Sequence, residues 1–262
     1  MRSAKARLLL CWALALLCAA GGFAGCISLS AHLMDTGRAD LMTLYGLNAL
    51  QQALTFALPT LLILQARPER WQRFRSSCRP VRLDTAACGL LLAVGGTVVV
   101  SVIATLWAGW LQSVTGYQGS ASPLPPVRSV GEGIFALLFV AVVPALCEEL
   151  LFRALIQGGL CRRLPRAGIW IAALIFGVAH LRWVALPALV LVGAALGYIY
   201  RRHGYFASAL IHGLYNAVVL ILSARQVSVT LGAMAACCLA CVLALRWLFK
   251  GERSDETDGT GL

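Results

Sequence analysis

The sequence is 262 residues long, and 60% of its residues are hydrophobic whereas only 13% are charged, with a net charge of +11. Because a soluble domain of this length carries about a quarter charged residues, this composition excludes a disordered chain, a nucleic-acid-binding domain and a disulfide-stapled secreted scaffold. The apolar residues occur in blocks of about 17–26 residues, long enough to cross about 30 Å of hydrocarbon. The composition therefore predicts an all-α, polytopic membrane protein.

Eight stretches of the sequence fit membrane-spanning helices. They are residues 8–31, 43–65, 86–111, 131–157, 167–181, 184–200, 205–223 and 228–249. The basic loop at 65–85 carries aromatic residues between its arginines, which is typical of a segment that lies along the inner membrane surface. The region 112–130 is rich in glycine and proline and is predicted to be irregular. The polar tail at 252–262 is predicted to be disordered.

The basic residues divide unequally between alternate loops of this arrangement. Seventeen of the 22 fall at the N-terminus, after the second, fourth and sixth stretches, and after the eighth, whereas four fall in the other loops. Since cytoplasmic loops are enriched in Lys and Arg, both termini are predicted to be cytoplasmic. The cytoplasmic loops thus account for the excess of positive charge, and no nucleic-acid partner is predicted. The expected partner is the lipid bilayer. The remaining basic residue, Arg153, lies inside the fourth stretch.

Two adjacent acids accompany Arg153 in that stretch, at Glu148 and Glu149. An ionised residue at the bilayer centre costs about 2.5–3.5 kcal/mol, so these residues need partners or water. Glu149 and Arg153 share a helix face as an i, i+4 pair with the acid first, the favourable order. Glu148 points about 100° away around the helix. Adjacent acids in different surroundings suit acid/base chemistry, with Glu148 as candidate base and Glu149 as candidate structural ion.

Two histidines and an asparagine reach a similar depth. His180 lies in the fifth stretch, and His212 and Asn216 share one face of the seventh as an i, i+4 pair. Glu148 and His180 are each 14 residues from the neighbouring arginine loop, or about 20 Å along a helix. We therefore expect three helices to bring these polar groups to the same depth in the membrane. The site that they form is expected to open toward the cytoplasm.

These residues carry a family resemblance. Residues 148–153 resemble the EExxxR motif of the CPBP family (CAAX protease and bacteriocin-processing, also called Abi), residues 176–180 its FxxxH motif, and residues 212–216 its HxxxN motif. The resemblance covers residues 131–223. It divides the chain into three N-terminal helices with the basic loop (1–130), a four-helix catalytic core (131–223) and a last helix with the tail (224–262).

The resemblance implies an intramembrane endopeptidase of the glutamic type. Glu148 and His180 would activate a water, and His212 and Asn216 would stabilise the oxyanion. Support for the site would come from Glu149, Arg153 and Phe176. The implied substrate is a membrane-associated protein or peptide cut near its C-terminus. The alternatives for this substrate are prenylated CAAX proteins, peptide pheromones, bacteriocin precursors and C-terminal sorting tails. We favour a multi-pass protein of the bacterial inner membrane over one of the endoplasmic reticulum.

Cofactor use and two other functions stay open from the residues alone. The family was long described as metal-dependent, and Glu148, His180 and His212 match a His₂Glu zinc set, although we favour no cofactor and no metal. Buried Glu and His also build proton relays, so a proton-coupled transporter is one alternative. No inverted repeat is visible in the sequence, which argues against it. The other alternative is a non-catalytic membrane factor of the bacteriocin self-immunity type.

Overall fold

The computed structural model describes residues 2–119, 128–225 and 231–250, and these ranges contain nine longer helices, a 3₁₀ turn at Trp183–Ala185 and no strand. The helices are α1 (Arg2–Asp35), α2 (Leu41–Gln65), α3 (Pro68–Ser77), α4 (Leu83–Thr115), α5 (Val130–Leu160), α6 (Ala167–Ala179), α7 (Leu186–His203), α8 (Tyr205–Arg225) and α9 (Leu231–Leu248). The predicted disordered tail and residues 120–127 of the predicted irregular region lie outside the described residues.

The prediction of an all-α membrane protein is confirmed. Six of the described helices are long and apolar enough to cross a membrane, and α6 and α9 are shorter apolar helices. Each of the eight predicted stretches coincides with one of these helices to within a few residues at either end. The number of crossings, the side on which the termini lie and the three-part division of the chain stay predictions.

The remaining helix, α3, occupies the predicted surface loop. Proline stands at its first helical position, where no backbone N–H is needed. Its aromatic side chains face the bundle: Trp71 and Phe74 pack against a core cluster that includes Leu64 and Tyr205. The Phe74 and Tyr205 rings are 5.3 Å apart. Helix α3 therefore covers one end of the helix bundle, as an interfacial amphipathic helix does.

The structure gathers the arginine-rich loops at that same end, which we call the basic end. Arginines from three of the predicted cytoplasmic loops line two cavities there: Arg70, Arg73, Arg79, Arg82, Arg162 and Arg202. Arg202 also donates from Nη2 to the carbonyl of Lys250, after α9 (2.6 Å). Farther from the basic end, Trp107 of α4 donates from Nε1 to the carbonyl of Trp183 in the α6–α7 turn (2.8 Å).

Helices α5 to α8 pack closely around the polar motifs, and two features of the sequence allow it. Gly193 and Gly197 of α7 let α6 and α5 approach: a Cβ on Gly197 would lie 2.7 Å from the Oε1 atom of Gln157. Gln157 in turn donates from Nε2 to the carbonyl of Gly197 (2.8 Å). Helix α5 also takes π-helical geometry over Leu150–Gln157, directly after the two acids. Such π-turns are frequent at functional sites.

Candidate active site

Glu149 is the centre of a buried ion network. Its Oε2 atom accepts from Nε of Arg153 (3.0 Å) and from Oγ of Ser208, and its Oε1 lies 3.1 Å from Nδ1 of His212. Glu149 and Arg153 are both fully buried, so the desolvation cost of the pair is offset only because these hydrogen bonds are made. The i, i+4 pair expected from the sequence is therefore present, with two further partners supplied by α8.

Ser208 is the site residue that the motifs do not contain. It is fully buried, and its Oγ also lies 3.1 Å from the carbonyl of Leu196 on α7. The sequence does hold a signal for it, since residues 208, 212 and 216 follow one another at intervals of four and so share one face of α8. Ser208 thus extends the polar face of His212 and Asn216 by one turn toward the basic end.

Phe176 lies between the charged and the histidine parts of the site. The guanidinium carbon of Arg153 is 5.3 Å from the centre of its ring, within cation–π range. Its ring also lies 4.5 Å from that of His180 and 5.7 Å from that of His212. The Nη1 and Nη2 atoms of Arg153 are buried without a hydrogen-bond partner among the described residues. The guanidinium therefore packs against the face of the Phe176 ring.

His180 ends α6 and is the most accessible of the charged or titratable motif residues, with its side chain 27% exposed. Its Nδ1 lies 2.8 Å from the carbonyl of Phe176. Because a carbonyl only accepts, Nδ1 carries the hydrogen and Nε2 of the neutral ring is left as an acceptor. Leu181 follows in the left-handed region, at φ 54°. Such a conformation is uncommon for a non-glycine residue and concentrates at functional sites.

Glu148 is buried and faces both histidines. Its Oε2 atom is 3.7 Å from Nε2 of His180 and 3.8 Å from Nε2 of His212. Both separations exceed a direct hydrogen bond, and this oxygen has no hydrogen-bond partner among the described residues. Two imidazole nitrogens therefore converge on one carboxyl oxygen.

A cavity of about 700 Å³ adjoins His180. Its walls come from α4, the turn after α6, α7, α8 and the start of α9. Its polar lining residues are Thr97, Ser101, Thr105, His180, Arg182, Tyr215 and Asn216. Asn216, the fourth predicted catalytic residue, thus borders the cavity on the same face of α8 as His212.

Residues 130–218 match the family model described as Type II CAAX prenyl endopeptidase Rce1-like. They form an Rce1-like domain. The match contains all three motifs and the site built from them, and the predicted family is confirmed for this segment. The family is one of endopeptidases, and the match together with the apolar helices makes the chain an integral membrane protein. No curated protein and no solved structure gives a significant match to the chain.

In the metal-dependent alternative, Glu148, His180 and His212 of the Rce1-like domain would hold a zinc ion. Zinc ligands at about 2.0–2.1 Å in a tetrahedron lie about 3.3 Å from one another, whereas Glu148 is 3.7 and 3.8 Å from the two histidines. Among the described residues, no group of three or more His, Cys, Asp or Glu side chains is arranged to hold a metal ion. The residues as placed do not fit zinc, so we derive no step through a metal.

The cavity of the Rce1-like domain does not open where the sequence leads us to expect. The expected opening is toward the cytoplasm, that is, toward the arginine-rich loops. The cavity instead extends from His180 past Asn216 and Arg182, away from the basic end.

Proposed function

We propose that the protein is an intramembrane endopeptidase that hydrolyses a peptide bond near the C-terminus of a membrane-associated protein or peptide. The observation that carries this proposal is the convergence of His180 and His212 on Oε2 of Glu148, inside an Rce1-like domain. The reaction needs no metal or cofactor in this proposal. We place the enzyme in the bacterial inner membrane.

In the proposed reaction, Glu148 is the general base and His180 orients the water. The Nε2 atom of His180 is an acceptor because its Nδ1 is committed to the carbonyl of Phe176. A water held between Nε2 and Glu148 loses its proton to Glu148 while its oxygen attacks the scissile carbonyl carbon. Glu148 then returns that proton to the leaving nitrogen as the C–N bond breaks. General acid–base catalysis of this kind contributes about 10²–10⁴-fold.

His212 and Asn216 supply the oxyanion donors. The amide of Asn216 has two N–H donors. His212 donates from Nε2 when it enters the reaction with its ring protonated at both nitrogens, and the adjacent Glu149 carboxylate stabilises that positive charge. Removing a single oxyanion donor costs about 3 kcal/mol in transition-state stabilisation. Arg153 and Ser208 hold Glu149 in place, which makes them positioning residues.

The experiment compares peptide termini in membranes of cells that express the wild type, Glu148→Gln or Glu132→Gln. Glu132 is a matched control because it lies on the same helix, α5, is only partly buried, and accepts from the backbone N–H of Arg128. We expect one set of new termini with the wild type and Glu132→Gln, and its loss with Glu148→Gln.

Two results would overturn the proposal. If Glu148→Gln produces the same termini as the wild type, Glu148 is not the base. If the wild type produces no termini beyond those of cells without the protein, it is not a peptidase under these conditions, and the immunity or transport alternative replaces this function.

A further inference from the structure

We propose that the polypeptide substrate reaches Glu148 and His180 from the membrane face opposite the arginine-rich loops, through the 700 Å³ cavity. This inference rests on the proposed function and adds the substrate class: segments whose cleaved bond lies on the non-cytoplasmic side. Three structural observations support it: the packing toward the basic end, the position of the cavity, and the length of α6.

The route from the basic end is filled by packed side chains. On α5, the inward-facing residues that follow Glu148 toward the basic end are all buried: Glu149, Phe152, Arg153 and Gln157. Gln157 also ties α5 to α7 through its hydrogen bond to the carbonyl of Gly197. Because Glu149 and Arg153 hold each other by their charges, opening this route breaks a buried ion pair.

The cavity lies beyond the site, in the other half of the bundle. Its α4 wall runs from Thr97 to Leu106, which is about 20–35 Å along the helix from Leu83 at the basic end. Its α8 wall runs from Tyr215 to Leu222. Tyr215 lies about 15 Å along the helix from Tyr205, where α8 begins at the basic end. The cavity therefore joins His180 to the end of the bundle that is poor in arginine.

The length of α6 explains why space exists there. Its 13 residues span about 20 Å, less than the hydrocarbon thickness of about 30 Å. A chain that begins at the basic end therefore reaches His180 within the membrane and turns back there through Leu181. Non-helical backbone at membrane depth is tolerated where it is buried in protein or lines a water-filled cavity. The α6–α7 turn meets that requirement by lining the cavity with Arg182 and Ala185.

The cavity wall suits an extended polypeptide. Thr97, Ser101 and Thr105 form a hydroxyl row along α4, and each donates to the carbonyl four residues before it (2.7, 2.7 and 2.9 Å). With its hydrogen committed in this way, each hydroxyl oxygen offers only acceptor capacity to the cavity. Backbone N–H groups of a bound chain require such acceptors in a lipid environment, while the valine and leucine residues of the wall accommodate apolar side chains.

The test assigns each terminus that depends on Glu148 to a face of the membrane, with fusions of known orientation as reference. Termini in non-cytoplasmic segments are the expected result. Termini confined to cytoplasmic segments would overturn the access route while leaving the proposed function intact, since both sets depend on Glu148.

A second arm blocks the cavity with Ser101→Trp, and Leu91→Trp is its matched control on the same helix, at an exposed position outside the cavity lining. Both variants are assayed for thermal unfolding in detergent, so that a folding defect is separated from blockage. We expect Ser101→Trp to unfold like the wild type and to lose at least about tenfold in cleavage, because small displacements of a substrate cost this much. A folded Ser101→Trp that cleaves as fast as Leu91→Trp would also overturn the route.

Discussion

The Nδ1 atom of His212 lies 3.1 Å from Oε1 of Glu149, across 63 residues of sequence and between helices α8 and α5. The carboxylate only accepts, so the hydrogen is on Nδ1 and the other nitrogen of the ring is turned toward Glu148. The two adjacent acids therefore have different roles. Glu149 binds three partners and holds the helices together, whereas Glu148 keeps an oxygen without a partner among the described residues.

Glu149→Gln is expected to destabilise the fold strongly. It leaves the guanidinium of Arg153 buried without its counter-charge, and breaking a buried pair in this way costs about 3–5 kcal/mol. The double variant Glu149→Gln/Arg153→Met is expected to be more stable than Glu149→Gln alone, because no charge is then left unpaired. Unfolding in detergent, followed by temperature or denaturant, measures both.

Asp84→Asn serves as the control for that series. It breaks the exposed pair between Asp84 and Arg82 (2.7 Å), and exposed pairs contribute about 0–1 kcal/mol. Equal losses of stability in Asp84→Asn and Glu149→Gln would contradict the central role given to Glu149.

Ser208→Ala tests the residue that lies outside the motifs. It removes one donor to Glu149, and a hydrogen bond to a charged group contributes about 1.5–3 kcal/mol. We expect a lower kcat with an unchanged KM, since Ser208 contacts no substrate but positions the carboxylate beside His212. Ser208→Thr, which keeps a hydroxyl, should retain more activity than Ser208→Ala. Ser113→Ala, which removes an exposed hydroxyl on α4, should have no effect, and a fall in kcat there would point to a nonspecific cause.

The positions of the helices follow directly from the sequence, because each crossing demands about 20 apolar residues. For the same reason charged residues inside a crossing stand out. Glu149 and Arg153 are found in contact as their spacing predicts, and Glu148 faces away from that pair, toward the histidines. Ser208 is harder to predict because its partner is on another helix, and serine in an apolar helix carries no signal of its own. The direction of the cavity depends on how α4 is rotated about its axis, so the motifs of α5 to α8 do not contain it.

The orientation of the chain is tested at Cys78, which follows α3 at the basic end. A membrane-impermeant maleimide is expected to label it in inverted vesicles and not in intact cells. Burial raises the pKa of the Cys78 thiol. Because the thiolate is the reactive form, labelling should still increase with pH above about 8.5, where a free cysteine is half ionised. Since the chain has ten cysteines, Cys78→Ser identifies the signal. Labelling of Cys78 from outside intact cells would reverse the predicted orientation.

Removal of divalent metal is expected to leave cleavage unchanged. Glu148 lies 3.7 and 3.8 Å from the two histidine nitrogens, wider than the ligand spacing of about 3.3 Å in a tetrahedral zinc site. The purified protein is dialysed against a chelator, its zinc content is measured, and cleavage of a substrate found by the terminal-peptide comparison is followed before and after. His180→Ala provides the matched comparison, since it should abolish cleavage whether or not zinc is added. If activity is lost on chelation and zinc restores it in the wild type, Glu148, His180 and His212 are metal ligands and the metal-free mechanism is wrong.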